Sequence, residues 1–328
     1  MISLGPLLQS FFAQHLVFHK HASPQTIAAY RDCFRLLLGF LHRTQGVEPA
    51  RLALTDLGPE TLLSFLDHLE RERSNSIRSR NARLAAIRSF FRFAAFTEPE
   101  AVAQVTRVLA IPMKCTDRRL VGYLTRQEIE AILSAPDRAQ RTGRRDHALL
   151  LALYNSGARV SEIVAVNQND VVFGAATLLH LRGKGRKERA VPLWPKTRRV
   201  LRAWFAEVGI GSGAAFPSAR GGRLSRFGVR YILADAVKRA APGCPTLHSK
   251  TVSPHVLRHT TAMHLLQSGV DPAVIALWLG HESIETTHIY LEADLAIKQR
   301  ALGKLAPTPQ ARRTYKPQDS LLAFLQAL

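Results

Sequence analysis

The sequence is poor in cysteine, in long apolar runs and in acidic residues, and each shortage excludes a class of protein. Only three cysteines occur in 328 residues, at Cys33, Cys115 and Cys244, and none forms a CxxC pair. Neither a disulfide framework nor a thiolate zinc site is therefore expected. No run of about 18 apolar residues occurs, and no cationic segment precedes an apolar core at the N-terminus. We expect a cytoplasmic protein with no membrane partner.

The shortage of acidic residues leaves the chain strongly positive. It carries 45 lysines and arginines against 25 aspartates and glutamates, a formal net charge of +20. An excess of this size indicates a polyanionic partner, and without a membrane signal the favoured partner is nucleic acid. A hydrophobic content of 46% over this length is enough to bury the cores of two domains.

The first 112 residues show only helical patterns. Apolar residues recur at three- and four-residue spacing in LLQSFFAQHLVFHK, TIAAYRDCFRLLLGFLHR, ETLLSFLDHLERE and SIRSRNARLAAIRSFFRFAA. These four segments predict a small helical bundle over residues 1–112. Residues 113–120 are predicted as a linker, because the period is lost there and Thr125 and Glu128 then form the capping box of a new helix.

One face of the fourth helical segment is polar and basic. Arg78, Asn81, Ala85, Arg88 and Arg92 recur at a spacing of about 3.5 residues, opposite the apolar face. Such a face suits phosphates and base edges in a major groove, although a merely solvated helix face would show the same pattern. We predict that Arg78, Asn81, Arg88 and Arg92 contact DNA.

The rest of the chain mixes helices with short strands. The runs DVVF, TLLHLRG and ERAVPL predict a small three-stranded antiparallel sheet, with Lys184 in the turn between the last two. Helices are predicted from DHALLLALYNSG, SEIVAVNQ, TRRVLRAWFAEVG, RFGVRYILADAVKRA, PHVLRHTTAMHLLQSG and DPAVIALWLG. The fold class is therefore mainly α with two domains, the second of them α+β.

The stretch SPHVLRHT predicts an anion site at the start of a helix. Ser253 is a good N-cap and Pro254 suits the first helical position, so His255 and Arg258 share one face of the first turn. Free N–H groups and the helix dipole favour a phosphate there. His255 and His259 have the spacing of zinc ligands, but no glutamate stands between them as in HExxH. We expect no metal.

Other chemically capable groups lie beside predicted turns. Arg159 precedes a helix whose first turn holds Glu162, which is close enough to orient the guanidinium. His281 directly follows Gly280, the predicted C-cap of a helix, and Tyr290 stands nine residues further on. Taken singly, such a histidine and such a tyrosine are more often structural.

Four blocks taken together are more specific than any one residue. The blocks are SGARVSEI, RGKGRKER, PHVLRHTTAMHLL and LGHESIETTHIY. Their order and spacing resemble those of the active-site motifs of the tyrosine recombinase, or phage integrase, family. The sequence resembles the Xer-like site-specific recombinases of this family over most of its length. The resemblance implies a four-helix, SAM-like core-binding domain at residues 1–112. It also implies a catalytic domain of the DNA breaking-rejoining type at residues 121–310.

The resemblance implies a complete catalytic set. Tyr290 would attack a DNA phosphate, leaving a 3′-phosphotyrosyl link without metal, ATP or any other cofactor. His255 would accept the tyrosine proton and Lys184 would protonate the leaving oxygen; Lys187 is the competing lysine, but Lys184 fits the motif better. The phosphate contacts would come from Arg159, Arg258 and His281, with Glu162 as the group that orients Arg159.

The resemblance also implies partners and a biological role. The partner is double-stranded DNA with paired recombination sites, bound by a homotetramer or a hetero-tetramer with a related recombinase. The protein is expected to be nucleoid-associated and to act as an integrase or a transposase. Residues 311–328 predict a tail helix, either packed on its own domain or exchanged between protomers.

Two alternatives remain open at the level of sequence. A type IB topoisomerase-like relaxase uses the same tyrosine chemistry, but it releases one duplex instead of joining two. A DNA-binding accessory protein would keep the fold without catalysis, and it should have lost at least one residue of the set. None is missing here.

Overall fold

The computed structural model describes residues 2–116, 122–183, 187–209 and 213–280. The chain divides into two compact units, Met1–Arg118 and Arg119–Leu328. This division lies inside the segment 113–120 in which the sequence places a linker. The predicted tail helix at 311–328 lies outside the described residues. No helix in the described part of the chain is long and apolar enough to cross a membrane.

The N-terminal unit is helical, as the sequence predicts. Its described α- and π-helical segments are α1 (Leu4–Ser10), a π-helical segment (Phe11–His19), α2 (Pro24–Gln45), α3 (Pro59–Arg71), α4 (Ile77–Thr97) and α5 (Val102–Leu109). The first predicted helix is thus divided, with an i to i+5 bond from Lys20 N to His15 O at 2.8 Å closing the wider turn. The short helix α5 was not predicted.

Aromatic side chains fill the core of this unit. Phe11 of the π-helical segment and Phe90 of α4 are fully buried, and their ring centroids lie 5.5 Å apart in an edge-to-face arrangement. Phe34 of α2 packs on Phe90 in the same way at 5.2 Å. These contacts hold the π-helical segment, α2 and α4 together and fix which face of α4 points outward.

The C-terminal unit combines helices with one small sheet. Its described α-helices and strands are α6 (Arg126–Ser134), α7 (Arg141–Ser156), α8 (Val160–Ala165), β1 (Val171–Val172), β2 (Leu178–Arg182), β3 (Glu188–Pro192), α9 (Pro195–Val208), α10 (Arg226–Ala240), α11 (Pro254–Gln267) and α12 (Pro272–Leu279). The predicted fold class, mainly α with an α+β second domain, is confirmed.

The sheet is antiparallel with strand order β1-β2-β3. Leu179 of β2 pairs with Val171 of β1 on one side and with Val191 of β3 on the other. All three side chains are buried, so one face of the sheet packs on the core. The turn between β2 and β3 contains Lys184, which lies outside the described residues.

The helix ends follow local sequence signals. Thr125 and Glu128 form the predicted capping box of α6, with Thr125 N donating to Glu128 Oε2 at 2.7 Å. Gly157 ends α7 and Gly280 ends α12, both with a left-handed backbone at φ 57° and 66°. Helix α8 is shorter than SEIVAVNQ suggested, because the backbone is already extended at Val166.

Helix α7 lies at the centre of the C-terminal unit. Every residue from 147 to 156 is buried, and the helix packs against α9 and α11. Its last turn therefore ends inside the unit instead of at the surface. That placement brings the end of α7 to the starts of α8 and α11 and to the end of α12.

Candidate active site

Arg258 ties two helix ends together from the start of α11. Ser253 caps this helix, with its hydroxyl accepting from Val256 N at 3.3 Å, and Arg258 follows one turn later. The Arg258 side chain is buried and donates from Nη1 to Gly157 O at 2.6 Å and from Nη2 to Leu279 O at 2.7 Å. The guanidinium is thus fixed by the last carbonyls of α7 and α12.

Arg159 reaches the same place from the start of α8. Its backbone N donates to Glu162 Oε2 and its Nη1 donates to Glu162 Oε1, both at 2.9 Å. A longer contact of 3.4 Å runs from Nη2 to Gly280 O. The Arg159 side chain remains 33% exposed, so this guanidinium is held in place and still open to solvent.

A third arginine, which the sequence did not single out, completes the cluster. Arg189 lies on β3 and donates from Nη2 to Glu162 Oε2 at 2.8 Å and from Nε to Trp278 O at 2.9 Å. A signal for it was present, because strand alternation places Arg189 on the same face as the buried Val191. A charged residue on an apolar strand face calls for a buried partner.

Glu162 is the acidic centre of this arginine cluster. Burial raises the pKa of its carboxyl, but the hydrogen bond and charge of Arg189 and the bonds from Arg159 outweigh that effect, and the pKa lies below its ordinary value. The carboxylate is therefore ionised at neutral pH. It accepts from Arg159 at the position where the sequence placed an orienting group.

The two histidines of α11 differ in their surroundings. His255, in the first turn, is exposed, whereas His259 is half-buried one turn later, with the two rings stacked at a centroid distance of 6.2 Å. Burial, together with the nearby His255 and the charge of Arg258, lowers the pKa of His259 to about 4. His259 is therefore neutral at physiological pH.

Three residues of the predicted catalytic set, Lys184, His281 and Tyr290, lie outside the described residues. The residues directly before two of them are described. Gly183 closes the β2–β3 hairpin through a bond of 2.7 Å from its N to Lys187 O, and Gly280 ends α12. Within the described ranges, no group of three or more histidine, cysteine, aspartate or glutamate side chains could hold a metal ion.

The predicted DNA-contacting face of α4 is only partly free. Arg78 and Arg92 are exposed. Asn81, in contrast, is engaged with the backbone of Lys114, donating from Nδ2 to its O at 2.8 Å and accepting from its N at 3.1 Å.

Arg88 is the second residue of that face with an internal role. It is partly buried, and its Nη2 donates to Leu109 O at 2.8 Å and also to Ile111 O. The helical pattern did not show this, because the chain after α5 returns to cover one end of the face. DNA contact by the four residues stays a prediction, and the structure leaves Arg78 and Arg92 the freer of them.

Two family models match the chain and together cover most of it. Residues 122–296 match the phage integrase family, and residues 9–97 match the N-terminal SAM-like domain of phage integrases. The first match contains the arginine cluster, and the second contains the helical unit around α2, α3 and α4.

Sequence relatives extend over the whole chain. An integrase/recombinase of Sinorhizobium fredii, y4rC, is 52% identical over 327 residues, which is 99% of this chain and 98% of the relative. The tyrosine recombinase XerC of Pelobacter propionicus is 32% identical over 324 residues, which is 96% of this chain and 100% of the relative.

Solved structures share the fold at low sequence identity. The Tn1549 transposon integrase in complex with a circular intermediate DNA gives a TM-score of 0.68 at 16% identity, covering 91% of this chain and 99% of that one. The XerH recombinase bound to its difH substrate gives 0.64 at 20% identity, covering 87% and 81%.

Proposed function

Because the chain belongs to the phage integrase family of site-specific DNA recombinases, we propose that Tyr290 is the nucleophile with which it cleaves and rejoins DNA strands. The observation that carries the proposal is the arrangement of Arg159 and Arg258. Both donate to the last carbonyls of α12, immediately before the sequence that supplies His281 and Tyr290.

The charge of the cluster fits a reacting phosphodiester. Two guanidinium groups, on Arg159 and Arg189, pair with the carboxylate of Glu162, and a third, on Arg258, bonds to the end of α7, so these described residues leave two positive charges. Attack on a phosphodiester builds negative charge on the equatorial oxygens, and cations fixed in advance stabilise that charge without reorganising. Arg159 is the partly exposed member and the best placed to touch the phosphate.

Proton transfer is assigned to the groups around this cluster. A tyrosine hydroxyl has an ordinary pKa of about 10, so it needs a proton acceptor or a strongly positive environment to attack at neutral pH. His255 is exposed at the start of α11 and serves as that acceptor. Lys184 protonates the leaving 5′-oxygen and His281 contacts a non-bridging oxygen.

The reaction exchanges one ester bond for another. The tyrosine oxygen forms a bond to phosphorus while the bond to the 5′-oxygen breaks, so the product is a 3′-phosphotyrosyl link and a free 5′-hydroxyl. The 5′-hydroxyl of another strand reverses the step and joins the strands. Because the phosphoester bond is conserved, neither ATP nor a metal ion is needed for the balance of the reaction.

The second part of the proposal concerns assembly on DNA. A family relative of known structure, the lambda integrase, is seen as a dimer bound to a core site, and XerH is bound to its difH substrate. We infer that this chain likewise acts on double-stranded DNA, with four protomers on paired sites. Phosphate contacts from the N-terminal unit come from Arg78 and Arg92.

A covalent trap tests the nucleophile. A duplex with a nick beside the scissile phosphate loses its 5′-hydroxyl strand after cleavage, so the protein stays attached to DNA. Wild type should form the adduct and Tyr290→Phe should not, while Tyr231→Phe, which removes an exposed hydroxyl of α10, should behave as wild type. An adduct with Tyr290→Phe would show that another residue attacks.

Two further assays distinguish a recombinase from a metal-dependent enzyme, a relaxase and an accessory protein. Adduct formation should survive excess chelator, and its loss would indicate a metal-dependent enzyme. Paired sites on one plasmid should give recombinant products. Relaxation of supercoils without recombinants would instead identify a topoisomerase-like relaxase, and a chain that binds DNA with neither activity would be an accessory protein.

A further inference from the structure

Arg189 has an unusual position for a charged residue. It is the second residue of β3, and its side chain is only 11% exposed. Burying a guanidinium on an apolar sheet face costs free energy unless its N–H groups find partners. The partners of Arg189 therefore indicate what the residue does.

Those partners belong to two different parts of the active site. Nη2 donates to Glu162 Oε2 at 2.8 Å, and Nε donates to Trp278 O at 2.9 Å. Glu162 is the carboxylate that also holds the Arg159 guanidinium, and Trp278 lies in the last turn of α12. Arg189 thus links the group that orients Arg159 to the helix that ends directly before His281.

The surrounding backbone is fitted closely to this side chain. A Cβ atom added at Gly280 would lie 3.0 Å from Arg189 Nη1 and 3.1 Å from its Cδ. At Gly183, a Cβ would lie 3.2 Å from Glu162 Oε1. Because Gly183 and Gly280 precede Lys184 and His281 in the sequence, the Arg189–Glu162 pair lies against both segments that lead to these residues.

We propose that Arg189 is a positioning residue for strand cleavage, holding the end of α12 in register with Arg159 so that the phosphate-binding groups are aligned. It acts through Glu162 and the backbone and does not touch the substrate. The inference rests on the proposed function of the site. An arginine is required because its planar fork bonds to a carboxylate and a carbonyl at once, whereas a lysine has a single nitrogen.

The test compares Arg189→Met with a matched arginine of the same hairpin. Arg182 pairs with Glu188 at the surface, where its side chain is 75% exposed, so Arg182→Met removes an arginine without disturbing the cluster. The probe is a nicked duplex carrying the sequence recovered from wild-type covalent adducts. The dissociation constant of the DNA and the maximal single-turnover cleavage rate at saturating DNA are measured separately.

We expect a loss in rate and not in binding. Arg189→Met should lower the maximal cleavage rate by roughly 10- to 100-fold, as a small misplacement of reacting groups does, while the dissociation constant changes less than about 3-fold. Arg182→Met should match wild type. Arg189→Lys should recover only part of the rate, and it replaces Arg189→Met if the latter does not fold.

A substrate with a neutral phosphate distinguishes positioning from a general weakening of the fold. In a methylphosphonate the non-bridging oxygen charge is absent, so alignment of the arginines matters less. Wild type and Arg189→Met should then differ by less than about 3-fold. An equal loss on both substrates, or a wild-type rate for Arg189→Met on ordinary DNA, would overturn the inference.

The outcome is separable from that of the proposed function. Wild type and Tyr290→Phe are run on the same duplex. If wild type forms no adduct, the proposed nucleophile and the positioning role both fail. If wild type is trapped through Tyr290 and only the Arg189 comparison fails, the error lies in this inference alone.

Discussion

Glu162→Gln should destabilise the C-terminal unit much more than Glu188→Gln, the same substitution at a surface ion pair. Glu162 is 3% exposed, and its carboxylate accepts from Arg159 at 2.9 Å and from Arg189 at 2.8 Å. Glutamine keeps the shape but has one acceptor oxygen, and its amide N–H groups would face an arginine donor. The guanidinium groups of Arg159 and Arg189 would then lose their charged partner.

The expected size follows from the burial of the pair. Removing one partner of a buried ion pair costs about 3–5 kcal/mol, because the other charge is left without compensation. Two effects reduce this here: Arg159 is 33% exposed, and the variant no longer buries a carboxylate. We expect the free energy of unfolding to fall by about 2–4 kcal/mol at pH 7.

The assay can be confined to the C-terminal unit. All three tryptophans, Trp194, Trp204 and Trp278, belong to that unit, so their fluorescence during urea unfolding reports it alone. Glu188→Gln is the matched control, since Glu188 pairs with Arg182 at the surface and is 68% exposed. Such a pair contributes about 0.2–1 kcal/mol at most.

Acid should remove the difference between wild type and Glu162→Gln. The pKa of Glu162 is lowered in the folded protein, so the carboxylate stabilises the fold above its ordinary pKa of 4.5 and loses this effect as pH falls through the lower folded value. A stabilising role of the Glu162 carboxylate is refuted if Glu162→Gln lowers the free energy of unfolding no more than Glu188→Gln does at pH 7, or if the difference between wild type and Glu162→Gln grows as pH falls below 4.5.

Three further outcomes are expected. The pKa of His259 is lowered from 6.5 to about 4, so between these pH values the unfolded chain binds a proton that the folded chain does not. The free energy of unfolding of the wild type should therefore fall by at most about 2–3 kcal/mol as the pH drops from 6.5 to 4. In urea titrations, the stability of His259→Gln should depend less steeply on pH than that of the wild type. Gly157→Ala should lower the free energy of unfolding by about 2 kcal/mol, because the backbone there is left-handed and the new Cβ would lie 2.4 Å from Leu279 Cδ2. The midpoint of urea unfolding should fall accordingly, and an unchanged midpoint would contradict the close approach of these two residues. Arg92→Ala should weaken DNA binding, and DNA titrations at several salt concentrations should show the slope of log binding constant against log salt concentration reduced by about one. Arg88→Ala should mainly destabilise the N-terminal unit, which circular dichroism melts would show.

Local signals in the sequence were enough to place most helices and their ends. The capping box of Thr125 and Glu128, the N-cap Ser253 and the C-cap Gly280 are present as predicted, and α7 ends at Gly157 as predicted. Each depends on bonds or dihedral angles within a few residues, so a short stretch of sequence carries the information. The π-helical segment at Phe11–His19 and the short helix α5 were missed, because apolar spacing does not distinguish a π-turn and α5 has only eight residues.

The predicted DNA-contacting face of α4 shows where helical periodicity fails. The spacing of Arg78, Asn81, Arg88 and Arg92 correctly placed them away from the aromatic core of the helical unit. It could not show that residues after α5 return to that face and bond to Asn81 and Arg88. Whether a polar side chain meets solvent or a distant backbone is decided by chain segments that are far apart in sequence.

The sequence by itself determined the family, the order of the four family motifs and the pairing of Arg159 with Glu162, which lie three residues apart across one helix start. Only the tertiary structure decided that Arg258 and Arg189 join the end of α12, over separations of 21 and 89 residues. The physical reason is that the last carbonyls of a helix have no partners within it. Which side chains satisfy them depends on the packing of α7, α11 and the sheet around that end, and no local pattern encodes this.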